Sequence, residues 1–187
     1  RTWAYYEDFI NEENNYLAPD NYQEKPFKGV AHRTSPTNIG MGLITNIVSY
    51  DLGYISINTV VDRLEKILSG MNKLSKYKGH YLNWYDTTTC EPLYPRYVST
   101  VDSGNLLGYL YLLKETLEEY KNNPLIRREE IQSLKDTYKI LNIKDNINIS
   151  KYKSIDDYKL ILKNELEKVK MLEDENDDEE YNYWINK

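Results

Sequence analysis

The chain has 187 residues and a net charge of −6, and no cluster of lysines and arginines in it is free of acidic residues. This charge argues against nucleic acid as the main partner. No apolar run approaches the ~18 residues that a membrane span needs, and the single cysteine, Cys90, excludes an internal disulfide and a thiolate metal cage. We therefore predict one domain with a substantial core and no metal or other cofactor.

Hydrophobic periodicity predicts six helices, separated by two long loops at residues 15–34 and 78–101 that we expect to contain no strand. The first and third helices are amphipathic, whereas the second and fourth are apolar on nearly all sides and are predicted to be buried. Five of the predicted helices run from Thr2 to about Asn14, from Pro36 to Asp51, from the cap Ser56 to about Tyr77, from about Ile126 to Leu141, and from about Ser154 to Leu172. The remaining one, the fourth in chain order, begins at Asp102 or Ser103.

The directions of these helices predict that both long loops lie at one end of the molecule. Helices joined by short turns run antiparallel, so each long loop leads into the N-terminus of a buried helix on the same side. Alternating amphipathic and apolar helices are typical of two concentric layers. The fold class is therefore all-α, a partial (α/α)6 toroid of antiparallel hairpins over residues 1–172, with an acidic, solvated segment at 173–187.

Three polar stretches at that end, residues 31–40, 79–86 and 99–105, predict a site for sugar. Ser35 before Pro36 is a helix-start signal that pins the first stretch to the second helix. Tryptophan and tyrosine offer flat apolar faces with a polar handle, and amide, carboxylate and guanidinium groups bind hydroxyls. The candidate substrate-binding residues are His32, Arg33, Thr34, Ser35, Asn38, Asn83, Trp84, Tyr85, Asp86, Asp102, Ser103 and Asn105.

Structural roles compete with sugar binding at several of these positions. His32 is more typical of a hydrogen-bonded scaffold residue than of a catalyst, and Asp102 suits a helix N-cap as well as a ligand contact. Arg33 suits a ligand contact or an ion pair with Asp86 or Asp102. Trp84 suits either a sugar contact or a loop that stacks on its own core.

Five separated motifs in order resemble the glycoamylase-like central region of cyclic β-1,2-glucan synthases, over roughly residues 1–113. The resemblance implies an (α/α)6 fold and a role in closing β-1,2-glucan chains by anomer-retaining transglycosylation, which uses two carboxylates. Asp20 and Glu24 are the local candidates for these carboxylates, although we expect the family's catalytic pair to lie downstream. The motifs are Thr2–Phe9, Asn14–Glu24, Ala31–Gly40, Gly79–Thr87 and Pro95–Asn105.

The resemblance also implies a setting. Arg1 stands where a complete chain has an initiator methionine, so the chain is a processed product or an excised piece of a longer polypeptide. We favour the piece, because the last residues are still amphipathic. The implied parent is a membrane-anchored enzyme with this segment on the cytoplasmic side, out of contact with the membrane. Its partners are β-1,2-glucan oligosaccharide and the remainder of the parent polypeptide, and the isolated piece lacks the full catalytic pair. The alternative is a helical interaction or docking module without catalytic activity.

Overall fold

The computed structural model describes residues 2–124, 127–140 and 155–173, and these are mostly helical. The helices are α1 (Thr2–Phe9), α2 (Pro36–Asp51), α3 (Ile57–Lys73), α4 (Thr100–Tyr120), α5 (Arg128–Ile140) and α6 (Ile155–Glu173). No helix in the described ranges is long and apolar enough to cross a membrane.

Two compact units make up the chain, one of Arg1–Asp51 with Ile55–Leu125 and one of Leu52–Tyr54 with Ile126–Lys187. In the second unit, buried Tyr138 of α5 donates a hydrogen bond to buried Glu165 of α6, and Lys168 Nζ lies 2.7 Å from the same carboxylate. The acidic segment predicted at 173–187 lies, beyond its first residue, outside the described residues.

Helix α2 is the central helix of the first unit and packs against α1, α3 and α4. It begins where predicted, because the Asn38 N–H donates to the Ser35 hydroxyl at 3.3 Å and Pro36 needs no donor. The predicted cap of α3 is also confirmed, since Ser56 accepts from the Thr59 N–H. The core of this unit includes Ile39, Leu43 and Ile47 of α2, Val60, Leu64, Ile67 and Met71 of α3, and Leu106 and Leu113 of α4.

Helix α4 differs from its prediction in its start and in its burial. Ser99 is the N-cap, accepting from the Asp102 N–H at 3.1 Å, so Asp102 lies in the first turn and neither it nor Ser103 opens the helix. Only Leu106 and Leu113 are buried in α4, and the prediction of a helix buried all round is wrong. Its opposite face exposes large apolar side chains, namely Val101, Leu107, Tyr111 and Leu112.

The long loops contain short strands, which contradicts the expectation of none, and a further strand at Lys76–Tyr77 lies where the third helix was predicted to continue. The six strands are β1 (Tyr22–Gln23), β2 (Gly29–Val30), β3 (Arg33–Thr34), β4 (Lys76–Tyr77), β5 (His80–Tyr81) and β6 (Tyr85–Asp86). They form three antiparallel pairs, β1–β2, β3–β6 and β4–β5. Two residues are too few for a period-two pattern, so alternation could not reveal them.

Two helices end earlier than periodicity predicted. Helix α1 stops at Phe9 because the side-chain amides of Asn11 and Asn14 donate to the carbonyl oxygens of Asp8 and Phe9, at 2.9 and 3.1 Å. Helix α3 stops at Lys73, and the chain then enters the β4–β5 hairpin.

Candidate functional site

The two long loops are joined to each other, as the helix directions predicted. Strand β3 pairs with β6 so that Arg33 lies opposite Asp86 and Thr34 opposite Tyr85. Just beyond this pair, the Thr87 N–H donates to the His32 carbonyl oxygen at 3.1 Å. Residues 33–34 and 85–86 therefore form one antiparallel pair ahead of α2, which we call the platform.

Asn14 is fully buried and is hydrogen-bonded to the residues next to both strands of this platform. Its side-chain oxygen lies 2.9 Å from Nδ1 of His32 and accepts from the Thr87 hydroxyl at 2.6 Å. Its side-chain nitrogen donates to the Phe9 carbonyl oxygen at 3.1 Å. Asn14 thus links the two loops, and the imidazole of His32 is hydrogen-bonded to it, which is a scaffold role.

Several predicted sugar contacts are buried and belong to the scaffold. Thr34 and Tyr85 are inaccessible to solvent, and Ser35 is 3% exposed. The Tyr85 hydroxyl donates to the Ser75 carbonyl oxygen at 2.6 Å and accepts from the Leu82 N–H at 2.7 Å. Thr34 and Tyr85 present no surface to a ligand because they lie opposite each other in the β3–β6 pair and are buried, and the Ser35 hydroxyl caps α2.

Arg33 pairs with Asp20, so the prediction of an ion pair with Asp86 or Asp102 is wrong. Nη2 and Nε of Arg33 lie 2.8 and 3.1 Å from Oδ2 of Asp20, and Asn38 donates to Oδ1 at 3.1 Å. The same guanidinium lies over the indole ring of Trp84, 4.8 Å from its centroid. Burial alone would raise the pKa of Asp20, but the hydrogen bonds from Arg33 and Asn38 outweigh it and hold that pKa below its ordinary value.

Asn83 joins the second loop to α4. With its amide oriented so that donors face acceptors, its nitrogen donates to Oδ2 of Asp102 at 2.9 Å. Its oxygen then accepts from the Trp84 indole N–H and from the Tyr97 hydroxyl, both at 2.8 Å. Trp84 is therefore fixed through its ring nitrogen to a residue that also contacts the first turn of α4.

Asp102 joins the first turns of α2 and α4. Its two oxygens accept from the hydroxyls of Thr37 and Ser99, each at 2.7 Å, and Asn105 donates to the Thr37 hydroxyl at 3.1 Å. Burial tends to raise the pKa of Asp102, but the hydrogen bonds from Ser99 and Thr37 outweigh it, so its pKa is lowered. The carboxylate is ionised at neutral pH, at the positive ends of two helices.

The remaining candidates lie apart from this network. The Asp86 carboxylate accepts hydrogen bonds from the N–H groups of Thr88 and Thr89 in its own turn. Burial tends to raise the pKa of Asp86, but these hydrogen bonds outweigh it, so the pKa is lowered. Glu24 is exposed in the β1–β2 hairpin. The Ser103 hydroxyl oxygen is buried and makes no hydrogen bond within the described part of the chain.

The polar surface at this end combines an aromatic ring, a guanidinium, amides and a carboxylate. We call it the Trp84 face and define it as Arg33, Asn38, Trp84, Asp102 and Asn105, all half-buried or exposed. Sequence reasoning missed Thr37 and Tyr97, which position Asp102 and Asn83. Thr37 could have been found from its place in the first turn of α2, whereas nothing local marked Tyr97. No group of three or more His, Cys, Asp and Glu side chains within the described ranges is arranged to hold a metal ion.

Comparisons with known proteins relate the chain to a curated sequence and to solved structures. No family model matches it. It is 44% identical over 124 residues, 66% of its length, to the cyclic beta-(1,2)-glucan synthase NdvB of Rhizobium meliloti strain 1021. The chain spans only 4% of the length of that relative.

One structural neighbour is a candidate glucoamylase from Bacteroides fragilis, solved by crystallography. The similarity covers 75% of this chain and 33% of that one, with a TM-score of 0.53 and 21% identity, so it bears on the fold alone. Together with the identity to NdvB, it confirms the predicted resemblance: this chain resembles the glycoamylase-like region of a cyclic β-1,2-glucan synthase.

Proposed function

We propose that this chain is one wall of a sugar cleft in a carbohydrate-active protein and that its Trp84 face binds β-1,2-linked glucan. The observation that carries the proposal is the chain of contacts from Arg33 through Trp84 and Asn83 to Asp102. It brings three separate segments to one surface in a chain that resembles a glucan synthase. An aromatic face with fixed hydrogen-bonding groups around it suits a ring whose faces are C–H bonds and whose rim is hydroxyls.

At Asp20, Asp86 and Asp102 the electrostatics favours binding over a role as the catalytic acid. Retaining glycosyl transfer needs a carboxylate nucleophile and a second carboxyl group that is protonated and acts as the acid, usually through a raised pKa. Asp20, Asp86 and Asp102 all have lowered pKa values, so each is ionised at neutral pH. Asp20 is also held by Arg33 and Asn38, which suits a positioning role.

In this proposal the rest of a longer polypeptide supplies the catalytic pair and completes an (α/α)6 toroid. The parent would close β-1,2-glucan chains by transglycosylation, with this segment on the cytoplasmic side of a membrane-anchored enzyme. The alternative of a docking module is favoured by one observation, the exposed apolar face of α4, where Val101 is 71% and Tyr111 64% exposed. Both hypotheses are compatible with neighbouring protein that covers this face, but only the first requires sugar at the Trp84 face.

Tryptophan fluorescence during titration with β-1,2-gluco-oligosaccharide tests the proposal. The expected result is a saturable change that Trp84→Phe abolishes, which separates the response of Trp84 from that of the two other tryptophans, Trp3 and Trp184. Arg33→Ala is expected to weaken binding by about tenfold, since it removes both the cation over the ring and the partner of Asp20. Asp86→Ala is the matched control, because that carboxylate faces its own turn.

A β-1,4-linked oligosaccharide of the same length tests the linkage. We expect weaker binding because the hydroxyl positions around Trp84 differ. No response to any glucan at millimolar concentration would refute sugar binding and favour the docking module.

A further inference from the structure

A second aromatic element lies directly beside the Trp84 face. The Leu93 N–H donates to the Trp84 carbonyl oxygen at 2.9 Å, and the Asn83 N–H donates to the Tyr97 carbonyl oxygen at 2.8 Å. These bonds fix both ends of residues 94–97, which we call the Tyr94 loop. The loop is therefore anchored to the same two residues that form the centre of the site.

The Tyr94 loop presents aromatic rings to solvent with no core to cover them. The Tyr94 side chain is 82% exposed and Tyr97 is 45% exposed. Arg96 lies over the Tyr94 ring, 4.7 Å from its centroid, and the Tyr97 hydroxyl is bonded to the Asn83 amide. A ring that is exposed and lies against a cation offers a ligand both an apolar face and N–H donors.

The loop repeats the chemistry of the Trp84 face. In each place a guanidinium lies over an aromatic ring, Arg33 over Trp84 at 4.8 Å and Arg96 over Tyr94 at 4.7 Å. Each pair combines an apolar face with several N–H donors, which is the complement of one sugar ring. Two such pairs, both linked to Asn83 through Trp84 and the Tyr94 loop, match a ligand that is itself a repeat of similar units.

We propose that the Tyr94 loop is a second subsite, which binds further glucose units of a β-1,2-glucan chain whose first units occupy the Trp84 face. This inference rests on the proposed function. Its specific consequence is that affinity rises with glucan length and that Tyr94 contributes only to the longer ligands.

Calorimetric titration with a β-1,2-linked disaccharide and with a longer β-1,2-linked oligosaccharide tests the second subsite. Tyr94→Ala is expected to weaken binding of the longer ligand by about two- to tenfold and to leave the disaccharide unchanged. Tyr94→Phe keeps the ring and should bind like the wild type. The matched control is Tyr111→Ala, which removes a tyrosine that is 64% exposed on α4, about 13 Å along the helix from Asp102.

The outcomes separate this inference from the proposed function. If the wild type binds the longer glucan and Tyr94→Ala does not differ from Tyr111→Ala, the second subsite is refuted while the Trp84 face stands. Equal weakening of both ligands by Tyr94→Ala also refutes it, since the tyrosine would then belong to the first subsite. If the wild type binds neither ligand, the proposed function fails and the subsite with it.

Discussion

Replacing Asn14 with alanine tests whether the two long loops depend on one buried amide. Its side chain is inaccessible to solvent and is hydrogen-bonded to His32, to Thr87 and to the Phe9 carbonyl oxygen. Asn14→Ala leaves the buried Thr87 hydroxyl and the Phe9 carbonyl oxygen without this partner. An unsatisfied buried group costs about 1–3 kcal/mol, so we expect a loss of about 2–4 kcal/mol in the free energy of unfolding.

Urea denaturation followed by circular dichroism measures this loss. Thr87→Val removes only one of the bonds and is expected to cost about 1 kcal/mol. The matched control is Asn21→Ala, an exposed asparagine of the same loop, with an expected change within about 0.5 kcal/mol. If Asn14→Ala is no more destabilising than Asn21→Ala, the amide does not hold the loops and the scaffold described for His32 is wrong.

Two further predictions concern helix packing and acid stability. Gly70→Ala would place a methyl group 2.2 Å from the Asn15 carbonyl oxygen and should lower the free energy of unfolding by about 1–3 kcal/mol. In the control Gly108→Ala the methyl group meets open space, and the free energy of unfolding should rise by about 0.5–1 kcal/mol. Equal effects of the two substitutions in denaturation would contradict the packing of α3. The pKa of Asp102 is lower in the folded chain than in the unfolded one, so its contribution to stability is present above the unfolded value and is lost as pH falls through the folded value. We therefore expect the free energy of unfolding to fall as pH drops below about 4, and to fall less steeply in Asp102→Asn; an unchanged slope would show that its hydrogen bonds do not stabilise the fold.

Local signals in the sequence were sufficient to predict where α2 and α3 begin. Ser35 with Pro36, and Ser56 before an amphipathic run, act through bonds made within one turn of each helix. The convergence of the two loops was also predictable, because it follows from helix directions and connection lengths alone. In the structure the first turns of α2 and α4, which follow the two loops, lie close enough for the Thr37 hydroxyl to donate directly to Asp102.

Contacts between distant segments could not be predicted from composition or spacing. The partner of Arg33 is Asp20, and this pairing depends on how the β1–β2 hairpin folds back beside β3. The exposure of α4 was mispredicted for a related reason. An apolar stripe indicates that a face is suited to burial but does not say which chain buries it.

The most direct test of the account is an NMR titration of the chain with a β-1,2-gluco-oligosaccharide. We predict that the indole N–H of Trp84 and the backbone amides of Arg33, Thr37, Asn83 and Asp102 shift together along one binding curve, because these residues form one connected surface. Shifts that follow different curves, or that fall on the exposed face of α4 while the Trp84 indole stays unchanged, would contradict a single sugar-binding face.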